Sequence, residues 1–213
     1  MVLNHNLEAV RRRYRWLAPI YPLFELVFLL PPGIRTRAVE RLSLTAGDRV
    51  LEVGCGTGRN LADLVAAVGA TGSVYGVDYS EAMLERAAQL CDQRGWQNIA
   101  LLQKDAAQLT LSEAVDGVLF SLSYSVMPNS RDALAQAWKY LKPGKRLVIV
   151  DGKLAAGISG RVSRPFVTWL SRRTILGDPM KLPQQELREF TSSLEVEEFN
   201  LGTYYICTAT KLH

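Results

Sequence analysis

The sequence predicts an α/β protein built on a mostly parallel β-sheet with helices on both faces. Three observations lead there. Strand-like and helix-like segments alternate from about residue 46 to residue 153. A glycine turn, "GCGTG" at 54–58, joins the first strand to the first helix of that region. Asp78 and Asp105 then stand at the ends of the next two strands. With 213 residues, 48% hydrophobic and 22% charged, the chain reads as one ordinary globular domain able to build a core unaided.

Each element has its own signal. Arg49 to Val53 is a short apolar run behind the turn Ala46-Gly47-Asp48, and so a buried strand. Leu61, Leu64, Val65 and Val68 recur at helical spacing after the glycines. A loop without Cβ atoms lets a ligand approach the backbone, and a helix N-terminus offers N–H groups. Arg59 stands where a dinucleotide fingerprint needs glycine, and no Gly-Lys-Ser/Thr follows, so neither phosphate motif is complete. The alternating strand Ser73 to Val77 ends in Asp78, twenty residues past Gly58, where a carboxylate can accept both hydroxyls of a ribose. Ser80 stands at the cap of a helix Glu81 to Arg94. "NIALLQKDAAQL" gives a third strand ending at Asp105-Ala106. "VDGVLFSLSYSV" gives a fourth, and "ALAQAWKYLKPGKRLVIVDGK" a helix, a Pro-Gly turn and a fifth.

"VLEVGCGTGRNL", "VYGVDYSEAMLERA", "LLQKDAAQL" and "LKPGKRLVIVDGK" together resemble the successive motifs of class I S-adenosylmethionine-dependent methyltransferases, over about residues 46 to 152. The resemblance implies a Rossmann-like doubly wound sheet of seven strands with an antiparallel last strand, which "LEVEEFNLGTYYICTATK" would complete as two strands joined at Gly202. It implies S-adenosyl-L-methionine as cofactor. Glu52 and the turn Gly54, Cys55, Gly56, Thr57 and Gly58 would then line the methionine end, and Asp78 would hold the ribose. Tyr79 and Met83 would flank the adenine, Asp105 and Ala106 would meet its amino edge, and Ser121 and Leu122 would face the sulfonium. The intact acid and glycine pattern argues against a protein that only binds the cofactor.

Two further segments point to the methyl acceptor. Residues 1–41 carry seven arginines against three acids, residues 152–182 six Lys/Arg against one acid, and the remainder 12 basic against 17 acidic. Both basic segments are also rich in aromatic and aliphatic residues. Domain boundaries follow: an N-terminal helical lid and membrane-contact segment over 1–45, and a cofactor domain over 46–213 with a basic substrate-side insertion at 152–182. "RYRWLAPIYPLFELVFLLPP" contains Pro19, Pro22 and Glu25 in too short a window to span a bilayer, and it lacks a signal-peptide cleavage site. Such oily basic elements fit an anionic membrane surface better than nucleic acid. Arg161, Arg164, Arg172 and Arg173 would face headgroups, and Phe24 and Phe28 would face lipid.

"RRYRWLAPIYPLFE" is similar to the entry segment of small bacterial phosphatidylethanolamine N-methyltransferases and of ubiquinone/menaquinone C-methyltransferases, with Tyr14, Arg15 and Tyr21 at the matching positions. Pro22 departs from the Asp usual there. Length and the basic insertion favour the phospholipid enzyme, cytoplasmic and peripheral on the inner face of the membrane. The alternatives are a quinone-precursor C-methyltransferase, or a methyltransferase acting on another small molecule or on RNA. The motifs of adenine or glutamine N-methyltransferases and of cytosine C5 enzymes are missing, as is the acidic metal cluster of catechol-type enzymes. Cys55, Cys91 and Cys207 are far apart, which favours a reducing compartment and argues against a zinc site. His5 and His213 lie at the extreme ends, so Tyr21 and Tyr124 are the remaining polar candidates for catalysis.

Overall fold

The description covers residues 30–154, 165, 177–178 and 180–212 of a computed structural model. In chain order it contains helix α1 (Ile34–Arg41), strand β1 (Arg49–Val53), α2 (Leu61–Val68), β2 (Ser73–Asp78), α3 (Glu81–Arg94) and β3 (Ile99–Gln103). A 3-10 turn (Ala106–Gln108) leads into β4 (Val115–Ser121), α4 (Ser130–Tyr140), β5 (Leu141–Gly152), α5 (Pro183–Phe190), β6 (Leu194–Phe199) and β7 (Tyr204–Thr210). The strands form one seven-stranded sheet in the order β3-β2-β1-β4-β5-β7-β6. β1 to β5 run parallel, and β7 is antiparallel to both β5 and β6. This is the expected methyltransferase-type sheet.

Both faces of the central strands are covered, as a parallel sheet requires. Alternation along β1 sends Val50 toward α1 and α2, where it packs with Ile34, Leu61, Leu64 and Val68. Leu51 and Val53 point to the opposite face, among Leu134, Ala137 and Leu187 of α4 and α5. α1 is therefore part of the core, with Ile34, Ala38, Val39 and Leu42 all buried. It is fastened from outside as well, because Thr36 donates to Asp63 at 2.8 Å and Arg37 and Arg41 reach Glu197 of β6 at 2.7 and 2.8 Å.

Three local expectations change. Ser80 occupies the N-cap position of α3, yet its side chain makes no capping bond. Its backbone N–H donates instead to Asp78, which ties the helix start to the end of β2. The Pro143-Gly144 turn does not precede the fifth strand but lies within β5, where the pairing with β4 shifts from Val115↔Leu141 to Gly117↔Arg146. The third strand ends at Gln103, because Asp105 turns to cap the 3-10 turn, accepting from the Ala107 N–H at 3.0 Å.

Tyr14, Arg15, Tyr21, Phe24, Phe28, Arg161, Arg164, Arg172 and Arg173 lie outside the described residues. Among the described residues, no helix is long and apolar enough to cross a membrane.

Candidate functional site

β2 and β4 leave β1 on opposite sides, so the chain reverses its winding direction at β1. A crevice opens there beyond the carboxyl ends of the strands, the usual ligand position in an open α/β sheet. Its near wall is the turn Gly54–Thr57, and its sides are Asp78 to Ser80, Met83, Asp105 and Ala106. Ser121, Leu122 and Ser123 close the end next to β4, with Val126, Met127 and Pro128 beyond.

The glycine turn is folded around its neighbours rather than around an anion. The N–H groups of Gly54 and Cys55 both donate to the Val77 carbonyl, at 2.7 and 3.0 Å, and that of Gly58 to the Cys55 carbonyl at 3.0 Å. The Gly56 N–H donates to Asp78 Oδ2 at 2.9 Å, while Asp78 Oδ1 accepts from Ser80 N–H at 2.8 Å. A pyrophosphate would meet amides already satisfied and a carboxylate of its own sign. A neutral ribose would meet a fixed acceptor. Burial raises the Asp78 pKa and the backbone donors of Ser80 and Gly56 oppose that rise.

Glu52 lies behind this wall, fully buried. Its Oε1 accepts from the Asn60 amide, and its Oε2 has no hydrogen-bond partner. Burial pushes its pKa up to about 7, against the opposing pull of the Asn60 bond and the Arg35 guanidinium and with some help from Asp78. Because the folded-state value is raised, ionising Glu52 costs the folded state. Its contribution to stability is fully present below about pH 4.5 and is lost as pH rises through about 7. The difference amounts to about 3 kcal/mol at pH 8. Glu52→Gln should therefore flatten the loss of stability between pH 5 and pH 8 relative to wild type, read as urea midpoints across that range. Equal pH dependence in the two proteins would remove Glu52 as its source.

Of the cofactor residues expected from sequence, all but Glu52 and Gly58 stand on the crevice wall. Gly58 sits behind it, where an added Cβ would come within 2.7 Å of Leu61. Leu122 holds a left-handed φ of +54°, a strained conformation of the kind that collects at functional sites. Tyr124 is not on the wall. It is fully buried, packs edge-on to Phe120 and donates its hydroxyl to Glu186 of α5 at 2.5 Å. Burial and the Glu186 carboxylate both push its pKa up, so at neutral pH this phenol is a donor and not a proton acceptor.

Sequence reading missed Arg35, Asn60 and Ser123. Arg35 and Asn60 reach the crevice, and Ser123 pins the β4 loop by donating to the Val53 carbonyl at 2.6 Å. A polar residue at the first turn after the glycines could have flagged Asn60. Nothing local flags Arg35, which arrives by the crossing of α1 over the sheet.

Comparison with known proteins agrees with this geometry. The model of a methyltransferase domain family matches residues 44–189. The chain belongs to this methyltransferase family. Aklanonic acid methyltransferase DauC of Streptomyces sp. (strain C5) is 29% identical over 207 residues, 96% of this chain and 93% of that one. A demethylmenaquinone methyltransferase of Geobacillus kaustophilus is 32% identical over 147 residues, 68% of this chain and 63% of its own length. Among solved structures, a SAM-dependent methyltransferase from Aquifex aeolicus superposes with a TM-score of 0.63 at 20% identity, covering 85% of this chain and 94% of that one. As a methyltransferase of this family, the chain uses S-adenosylmethionine, and the crevice suits it. An added Cβ on Gly56 would meet no protein atom within 4 Å, so the turn leaves an open cradle. Glu52 lies behind the turn with Oε2 unpaired, and a cationic ligand there would favour its ionised form.

Proposed function

We propose that this S-adenosylmethionine-dependent methyltransferase acts on a lipophilic small molecule of the quinone or polyketide kind, and not on phosphatidylethanolamine. The observation that carries the reading is the near full-length similarity to a relative named for aklanonic acid, joined by relatives named for demethylmenaquinone. It replaces the phospholipid expectation, which rested on length and basic charge. The wall beyond Leu122 supports it, since Val126, Met127 and Pro128 offer an apolar surface to a flat or oily acceptor.

When bound, S-adenosylmethionine supplies an electrophilic methyl group on sulfur. The acceptor atom would form the new bond to that methyl as the sulfur–carbon bond breaks, and the acceptor would give up a proton. What this chain contributes is placement. Asp78, fixed through Gly56 and Ser80, would hold the ribose hydroxyls, and Tyr79 with Met83 would bracket the base. Ser121 and Leu122 would stand beside the reacting methyl, with Leu122 N–H anchored on the Val150 carbonyl at 2.8 Å. Holding both reactants in line removes much of the entropic barrier of a bimolecular step. Tyr21 stays part of the proposal as a group that would close over the cofactor. The oily basic stretches around Phe24, Phe28, Arg161 and Arg172 would favour docking at an anionic membrane, where quinones reside.

Labelled S-adenosylmethionine incubated with demethylated quinol, polyketide acids and phosphatidylethanolamine vesicles tests the reading. Label should enter the quinol or polyketide fraction and leave the vesicles unlabelled. Methylated ethanolamine lipid with unlabelled quinol and polyketide would overturn it.

A further inference from the structure

The loop from Ser123 to Asn129 carries the crevice wall beyond Leu122, and it is held from behind. Buried Asp151, near the end of β5, accepts from the Ser125 N–H and from Ser125 Oγ, both at 2.8 Å. The Asp178 N–H donates to the Ser125 carbonyl at 2.9 Å, and Lys181 Nζ donates to the Met127 carbonyl. The carboxylates of Asp178, Glu186 and Asp151 stand near that partly buried ammonium. At the far end of the loop Asn129, exposed on the wall, occupies the N-cap position of α4. Asparagine is favoured there because its side chain commonly turns back to the first free N–H groups of the helix. Here the carboxamide makes no capping bond. Ser121 and Ser123 are committed, to Arg35 and to the Val53 carbonyl. Beside the apolar Val126, Met127 and Pro128, Asn129 is the uncommitted polar side chain among the described residues of this part of the wall.

We infer that Asn129 is an acceptor-binding residue whose side-chain amide donates to the oxygen that carries the acceptor's negative charge. The inference rests on the quinone or polyketide reading of the acceptor. A quinol that has passed its proton to water and a polyketide acid share one chemistry, an oxygen anion on a largely apolar body. Val126, Met127 and Pro128 suit the body, and the carboxamide offers two N–H donors to the oxygen. As the methyl leaves, sulfur keeps the electron pair of the broken bond and the acceptor's own pair forms the new one. Sulfonium and anion thereby neutralise each other, and the donor needs only to hold the anion in line. A donor fixed in advance does this best, because less order remains to be imposed on binding. The bonds from Asp151, Asp178 and Lys181 supply that fixity as far as Met127, two residues before Asn129.

The test follows label from S-adenosylmethionine into demethylated quinol and polyketide acids, beside calorimetric titration with S-adenosylhomocysteine. Asn129→Ala should lower kcat/KM for the labelled acceptor about 10-fold or more, the low end for a hydrogen bond to a charged group. Its affinity for S-adenosylhomocysteine should stay at the wild-type value. Asn129→Asp separates acceptor binding from a structural part at the helix start. Aspartate caps a helix as well as asparagine does, so a merely structural residue would tolerate the change. A carboxylate facing an oxygen anion would repel it, so kcat/KM should fall below that of Asn129→Ala while the melting temperature holds. A value in Asn129→Asp at or above that of Asn129→Ala overturns the inference. Loss of S-adenosylhomocysteine affinity in step with activity in Asn129→Ala also overturns it. Wild type that labels phosphatidylethanolamine, and neither quinol nor polyketide acid, would overturn the acceptor reading and the role of Asn129 with it. Labelled quinol or polyketide acid with an indifferent Asn129→Asp would overturn the role of Asn129 alone.

Discussion

Asp78→Ala should weaken S-adenosylhomocysteine binding by at least tenfold and by up to about 100-fold. Two losses combine. The first is the carboxylate itself, which in the proposed reading is a charge-assisted partner for the ribose worth roughly 1.5–3 kcal/mol. The second is order in the turn. Asp78 is the side chain through which Gly56 N–H and Ser80 N–H are joined, at 2.9 and 2.8 Å. Without it the start of α3 and the tip of the glycine turn lose their common tie, and a ligand must re-establish it. Melting temperature should fall too, but the affinity change is the larger signal. Calorimetry decides: a variant with wild-type affinity and a lowered melting point would make Asp78 a staple for the turn and nothing more.

Two neighbouring glycines should fail in opposite ways. At Gly54, with φ +75°, an alanine Cβ would lie 2.5 Å from Ser123 Cβ and 2.9 Å from the Met127 methyl. Left-handed backbone costs a non-glycine residue about 1–2 kcal/mol, and overpacking adds about 1–3. The sum, roughly 2–5 kcal/mol, takes a large share of a typical folding free energy. For a chain of this size it should lower the melting temperature by roughly 5–15 °C. At Gly56, with φ +55°, the same methyl meets no protein atom within 4 Å and instead enters the cradle. Gly56→Ala should keep most of the stability and lose cofactor affinity by tenfold or more. Thermal melts of both apo variants beside titrations with S-adenosylhomocysteine would show the crossing. Wild-type cofactor affinity in Gly56→Ala would mean that the cradle is not where the ligand lies.

How far the sequence carried the reading depended on the range of the signal. The turn at 54–58 and the acid at 78 are legible because their chemistry is local. Glycines permit the turn, a short apolar run makes the strand, and the carboxylate lies at the next strand end. The antiparallel last strand was legible only through family resemblance, since nothing in "TYYICTAT" itself states its direction. Arg35 was not legible, because its relation to Ser121 depends on α1 crossing the sheet. Tyr124 was misjudged for a related reason. It was chosen because no interior histidine was available, but packing against Phe120 and the bond to Glu186 turn it inward. The acceptor lies furthest from local pattern, because a fold does not name its substrate, and full-length similarity proved more informative than charge.

The bonds that assemble the crevice have a consequence for how the chain folds. Arg35 meets Ser121 across 86 residues of sequence, Ser123 meets Val53 across 70, and even Gly56 and Asp78 are 22 apart. No contiguous fragment holds them together, so the unfolded chain has nothing with which to grip the nucleoside. The cofactor can then act only on the finished structure, by mass action. At a free concentration 100 times its dissociation constant it should add about 2.7 kcal/mol to global stability. It should slow unfolding without speeding collapse, because long loops must close before any binding surface exists. In a cell, the pool of S-adenosylmethionine would thereby help set how long each copy of this protein survives.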